Sequence, residues 1–206
     1  MARPREFDED AVLDKALQLF WSKGYDATSI DDLVVATGLS RASLYGAFGD
    51  KAQLFRTILT RYREQLAAEL AACVQKQPSA RAAIEALFAA SIDRACPSAG
   101  PRGCLLAVAT ALPTPADDET RALLTSFANE TEKLVTRLVR EGQASDEVDD
   151  VPSAASLARF LTVTLQGLAT AARAGRSKKE LREVAAHALS VLAPRRRPRG
   201  TPNASA

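Results

Sequence analysis

Apolar residues recur along the chain every three to four positions, in stripes bounded by capping residues and breakers, which is the signature of amphipathic helices. Phe7 and Val12 stand at the two ends of a hydrophobic staple around Asp8, an N-cap followed by Glu9 and Asp10. Those acids suit the positive end of a helix dipole. Leu13, Ala16, Leu17 and Phe20 continue the stripe until Gly24 stops it. A second helix is predicted over 28–36, capped by Thr28 and carrying Ile30, Leu33 and Val34, with Thr37-Gly38 ending it. A third, over 40–47, begins behind Ser40 and turns Leu44 and Phe48 inward. Asp50, with Gln53 three residues on, caps a long fourth helix running through Leu54, Ile58, Leu66 and Leu70 to about Gln77.

Ser79 opens a fifth helix containing Ile84, Leu87 and Phe88, and the segment CPSAGPRG over 96–103 is a loop. A helix of about ten residues follows to Leu112. Thr114-Pro115 starts the next, with Pro at the first helical position and Asp117 in the capping-box position, and it runs to about Gly142. After an acidic loop over 145–150, two final helices are predicted over 153–174 and 178–192, the second with a Ser177/Glu180 capping box. Residues 194–206 form a disordered, Arg-rich tail. Alternating strand patterns are missing, so the fold class is all-α.

Composition divides this string of helices. Eight of the eleven aromatics fall in the first 62 residues, whereas 32 of the 40 alanines lie after Leu66. The expected organisation is an aromatic-packed N-terminal unit over 1–50 and a larger Ala/Leu body over 51–193. The chain of 206 residues is long enough for a sizeable core, and 47% hydrophobic with 25% charged residues argues against wholesale disorder. No run approaches the roughly 18 apolar residues of a membrane span, and the acidic start MARPREFDED is no secretion signal. Three cysteines without such a signal do not make a disulfide framework, so a cytoplasmic protein is expected.

The two short helices around Thr37-Gly38-Leu39 have helix-turn-helix geometry. Opposite Leu44 and Phe48, the third helix carries Ala42, Ser43 and Gly46, small enough to let its backbone lie deep in a DNA major groove. Arg41 is suited to a guanine edge or a phosphate, the Tyr45 hydroxyl to a phosphate, and Lys51 to a phosphate at the start of the fourth helix. Arg3 and Arg5, bracketing Pro4, form a candidate arm for a neighbouring groove. Bulk charge gives no hint of this role. Residues 1–50 carry five Lys and Arg against nine Asp and Glu, so the acids of the first two helices are expected to face away from DNA.

The stretch ALQLFWSKGYDATSIDDLVVATGLSRASLYGAFGDKAQLF resembles the N-terminal domain of the TetR (TetR/AcrR) family of transcriptional regulators. The matching elements are Leu19-Phe20, Gly24-Tyr25, Thr28-Ser29-Ile30, Gly38-Leu39-Ser40, Leu44-Tyr45, Phe48, Lys51 and Leu54-Phe55. The resemblance implies an all-helical homodimer of about nine helices per subunit, whose last two helices pair across the dimer. The first three helices would bind double-stranded operator DNA and the rest would hold a small-molecule effector. It places Thr28, Ser29, Arg41, Ala42, Ser43, Tyr45 and Lys51 at positions that commonly contact DNA. One departure is Ala47, where many members carry a His or Tyr that touches the phosphate backbone.

The effector is less legible. Phe88, Cys104, Phe127 and Phe160 are candidate pocket residues, although at helical spacing such residues are more often plain core. Cys104 opens a helix beside Arg102, a setting that favours the thiolate, and Cys96 lies eight residues earlier as a candidate resolving thiol. A redox or electrophile sensor acting through Cys104 is therefore the alternative reading, with a small buried Cys104 as the plain one. Cys73, Cys96, Cys104 and His187 lack metal-ligand spacing, so no metal and no cofactor is expected. An enzyme would have to pair Cys104 with His187, the sole histidine, and no phosphate loop, nucleophile elbow or HExxH motif is present. A sequence-neutral architectural DNA binder would want a strongly basic surface that this chain lacks.

Overall fold

Side chains that accept hydrogen bonds from the first free amides fix where the helices start. In the computed structural model, which describes residues 7–98, 103–111 and 117–194, the order is α1 (Glu9–Lys23), α2 (Ile30–Thr37), α3 (Arg41–Phe48), α4 (Lys51–Gln75) and α5 (Ala80–Ala95). Then come α6 (Leu105–Ala111), α7 (Asp118–Ala144), α8 (Ala154–Arg173) and α9 (Lys178–Leu189), closed by a 3-10 turn, Ser190–Leu192. Among the described residues there is no strand, and no helix is long and apolar enough to cross a membrane. Asp8, Ser40, Ser79 and Ser177 cap α1, α3, α5 and α9, and Asp50 with Gln53 forms a reciprocal box at α4, as the capping chemistry predicts.

Two caps differ from expectation. Helix α2 begins behind Ser29, whose hydroxyl accepts from the Asp32 amide at 3.0 Å, and not behind Thr28. Thr28 is fully buried, and its hydroxyl donates to the Gly24 carbonyl at 2.6 Å, closing the end of α1. Asp117 is itself the N-cap of α7, accepting from the Thr120 amide at 2.6 Å, and does not sit three residues inside the helix. The predicted start at Thr114-Pro115, the end of α6 at Leu112, the tail beyond Pro194 and the arm residues Arg3 and Arg5 all lie outside the described residues.

Packing produces two apolar clusters. The first gathers Phe20, Trp21, Leu33, Leu44, Phe55 and Ile58, with Phe20 and Tyr25 each 4.9 Å from the Phe55 ring and Trp21 edge-on to Tyr62 at 5.3 Å. It does not stop at residue 50. Leu66 of α4, Leu105 and Leu106 of α6 and Leu124 of α7 complete it. The second is built from α5, α7, α8 and α9 around Ile84, Phe88, Val135, Leu138 and Leu161. Leu70 of α4 packs against both, so one helix belongs to the two clusters at once.

One carboxylate of α2 is held below the ordinary carboxylate range. The Asp32 carboxylate accepts from the Lys23 ammonium at 2.7 Å and from the Ser29 amide at 2.9 Å, and these bonds, Lys23 first, lower its pKa from 3.8 to about 2. A carboxyl held below its unfolded value stabilises the fold above that value and loses the contribution as pH falls through the folded one. Asp32→Asn should therefore flatten the pH dependence of Tm between 3.8 and about 2. A profile identical to the wild type there would refute this role for Asp32.

Candidate nucleic-acid interface and effector cavity

The turn between α2 and α3 depends on Gly38, which sits at φ 77°, ψ 7°, a left-handed conformation that residues with a Cβ rarely adopt. Its amide donates to the Val34 carbonyl at 2.9 Å, while the Thr37 hydroxyl donates to Leu33 at 2.7 Å and accepts from the Leu39 amide. This closure brings the inward residues Leu33 and Leu44 together in one core. The opposite face of α3 is then exposed, and it holds Ala42, Ser43 and Gly46 as predicted.

Of the flanking side chains, Arg41 is already partnered and Tyr45 is exposed. The Arg41 guanidinium donates to Asp31 of α2 at 2.6 Å, a hydrogen bond and charge pairing that raise its pKa. Tyr45 is 44% exposed. The Ser43 hydroxyl lies 2.9 Å from that of Ser40. Lys51 lays its ammonium 4.2 Å above the Tyr25 ring, where burial lowers its pKa against a weaker opposing pull from Asp26. Ser29 is exposed at the start of α2. Thr28 is corrected as a contact residue, because its hydroxyl is buried and spent on Gly24. Sequence reasoning also missed Asp31, the one acid of α2 that shares a surface with Arg41; only the turn geometry joins residues ten apart. The remaining acids are largely paired off that surface, Asp10 and Asp14 with Arg61 and Asp32 with Lys23.

The helix-turn-helix is tied to the body at its far edge. Arg173, at the end of α8, donates to the Trp21 carbonyl at 2.6 Å and the Ser22 carbonyl at 3.4 Å, so a cation meets the negative end of α1. Beside it Gly103 (φ 70°) presses on α8 so closely that a Cβ there would stand 2.5 Å from the Ala169 carbonyl oxygen. Arg56 of α4 adds ion pairs to Asp117 and Glu119.

Within the body, Cys104 and Phe127 line a cavity of about 60 Å³ between α4, α5, α6, α7 and α8. Phe88 and Phe160 do not. Phe88 is 1% exposed in the core of the body, and Phe160 is 45% exposed on the outer face of α8, off the Leu157–Leu161–Leu168 stripe that points inward. A wider groove of about 480 Å³ adjoins it, sharing Leu70, Phe127 and Thr131 and edged by Arg63, Arg137 and Glu141. The Tyr62 hydroxyl donates to the Cys104 sulfur at 3.7 Å, and burial, aided by that thiol, keeps the phenol protonated far above its usual range. Burial pushes the Cys96 thiol up as well. Phe160, Val163 and Val184 leave an exposed apolar strip on α8 and α9.

Comparison with known proteins decides what this architecture is. Residues 12–58 match the family described as bacterial regulatory proteins, tetR family, and residues 80–188 match the tetracyclin repressor-like C-terminal domain. The chain belongs to the tetR family. Among curated tetR-type relatives, the HTH-type transcriptional repressor ComR of Escherichia coli (strain K12) is 35% identical over 92% of this chain and 90% of its own. The HTH-type transcriptional repressor BdcR of the same organism is 29% identical over 92% and 91%. Among solved structures, a triple cysteine mutant of the TetR family transcriptional regulator CifR, in complex with 26 bp double-strand operator DNA, superposes with a TM-score of 0.83. It is 31% identical and covers 93% of this chain and 100% of the CifR chain.

Within this tetR-family fold, the Arg173 tie has a measurable strength. Two charge-assisted bonds to carbonyls predict that Arg173→Ala lowers stability by about 1–3 kcal/mol, a fall of several degrees in Tm. An unchanged melt would show that the α1 end is held by other contacts.

Proposed function

We propose that this chain is a transcriptional repressor that binds a near-palindromic operator as a homodimer and is released by a small-molecule effector. The observation that carries the reading is the exposed small-residue face of α3, Ala42, Ser43 and Gly46, flanked by Arg41 and Tyr45. That face admits the helix to a major groove, where Arg41 suits a base edge and Tyr45, Ser29 and Lys51 suit phosphates. Arg3 and Arg5 would supply an arm to the next groove. The helix-turn-helix unit is assigned to 1–50, the effector and dimerisation unit to 51–193, and an Arg-rich tail to 194–206. The CifR complex with operator DNA supports the DNA-binding part, being a family member of nearly equal extent.

The apolar strip of Phe160, Val163 and Val184 suits pairing of α8 and α9 with a second copy. Such a pair would set two recognition helices about 34–36 Å apart, one turn of the duplex. An effector in the cavity between α4 and α8 acts through its differential affinity for two states. Displacement of α8 would reach α1 through Arg173, because Ala169 on the cavity wall lies one turn before it.

A second reading is a thiol switch at Cys104. Two observations favour it: the sulfur lies against the Tyr62 hydroxyl on the cavity wall, and the Gly103 amide donates to the Ala95 carbonyl at 3.1 Å. That bond sets the backbones beside Cys96 and Cys104 against each other.

Two experiments test these readings, the first the operator binding they share and the second the switch. Tyr45→Ala should lose operator retardation in a gel while still eluting as a folded dimer, and wild-type affinity in that variant would overturn the assignment of α3. Under a mild oxidant or alkylator, the second reading requires the wild type to leave its operator and Cys104→Ser to stay bound; superimposable titrations would discard the switch.

A further inference from the structure

A threonine inside a helix normally satisfies its hydroxyl by bonding the carbonyl four residues back. In the body of this chain Thr110, Thr131, Thr136, Thr164 and Thr170 all do so, at 2.7–3.1 Å. Thr162 does not. It is 4% exposed, its hydroxyl has no hydrogen-bond partner, and it lines the cavity of about 60 Å³. A buried polar group left unpaired is destabilising, and native structures retain few of them. Thr162 lines the cavity, and rotation about its Cα–Cβ bond would turn the hydroxyl toward an occupant that brings it a donor or acceptor.

The rest of the wall defines that occupant. Leu66, Leu87, Ile92, Phe127, Leu165 and Leu168 make it mainly hydrocarbon. Among the described residues Arg94 is the single charged one on it, and that charge is spent: the guanidinium pairs with Glu69 and lies 5.5 Å from the centre of the Tyr62 ring. An anion would have to compete with Glu69, and a cation would face Arg94. Room for a few water-sized centres, at about 10–15 Å³ each, suits a body of roughly half a dozen heavy atoms. We propose that Thr162 anchors a binding site for a small neutral molecule, a branched hydrocarbon body bearing one hydrogen-bonding head. Its regulatory consequence rests on the effector reading above, since the same wall reaches Arg173 through Ala169.

The test titrates the full chain, methyl-labelled at leucine, with 2-methyl-1-propanol and separately with 2-methylpropanoate, using wild type, Thr162→Val and Thr162→Ser. Saturable shifts with the alcohol are expected in the wild type, with binding about tenfold weaker in Thr162→Val and restored in Thr162→Ser. Thr162→Val should melt no lower than the wild type, because it removes an unpaired hydroxyl at nearly constant shape. No saturation, equal affinity in Thr162→Val, or equal affinity for the carboxylate would each overturn the proposal. Operator anisotropy in the same samples tests the effector reading separately: saturation with unchanged anisotropy upholds the site and removes its part in release.

Discussion

A helix kinks sharply only where its hydrogen-bond ladder is interrupted, and α4 is one unbroken helix of 25 residues. At about 1.5 Å per residue it spans more than 35 Å. Its first turns bury Leu54, Phe55 and Ile58 among the aromatics of the N-terminal cluster, and its last turns lay Leu70 and Val74 against the body. The chain passes from the end of α3 to the cap of α4 through Gly49 alone. Helix α3, the proposed recognition helix, is therefore attached to a rigid strut with almost no slack. In the proposed mechanism, a displacement at the far end of α4 would be delivered as a change of angle at its near end.

The strut does not act alone. Arg61 braces it to α1, Arg56 braces it to the start of α7, and Arg173 reaches from α8 to the last carbonyls of α1. Each tie is an arginine at a junction between elements, where a planar fork bonds more than one acceptor. The partly exposed carboxylate pairs of Arg56 and Arg61 contribute little stability singly, whereas Arg173 adds charge-assisted bonds to backbone carbonyls. They fix orientation, which suits a molecule whose proposed output is the separation of two helices. The small cavity is bounded by α4 on one side and α8 on the other.

How much of this was written in the sequence depended on the range of the interaction. Ser40, the Asp50/Gln53 box and the Ser177/Glu180 box were legible because a cap is settled within four residues. Thr28-Ser29 offered two capping residues in tandem, and only the packing that buries Thr28 against Gly24 chose between them. Asp117 was misplaced by the same ambiguity among neighbouring acids. The small face of α3 followed from helical period. The period also gave α8 an apolar stripe, yet it could not tell that Phe160 lies off it or that Phe88 packs away from the cavity. Asp31 against Arg41 and the unpaired hydroxyl of Thr162 have no sequence signature, because both are made by elements meeting in space.

The pairing of Arg41 with Asp31 has a consequence for how such a molecule would search a chromosome. A guanidinium already shared with a carboxylate displaces fewer counterions from an arbitrary stretch of duplex, so it adds little to residence on the wrong sequence. Asp31, exposed beside it, is repelled by the same phosphates. A base edge that accepts both arms of the fork competes better than a lone phosphate oxygen. Against about 10⁶–10⁹ decoy sites, occupancy is governed by the ratio of right to wrong affinities. An acid on the reading surface would then serve selectivity by shortening each mistaken visit.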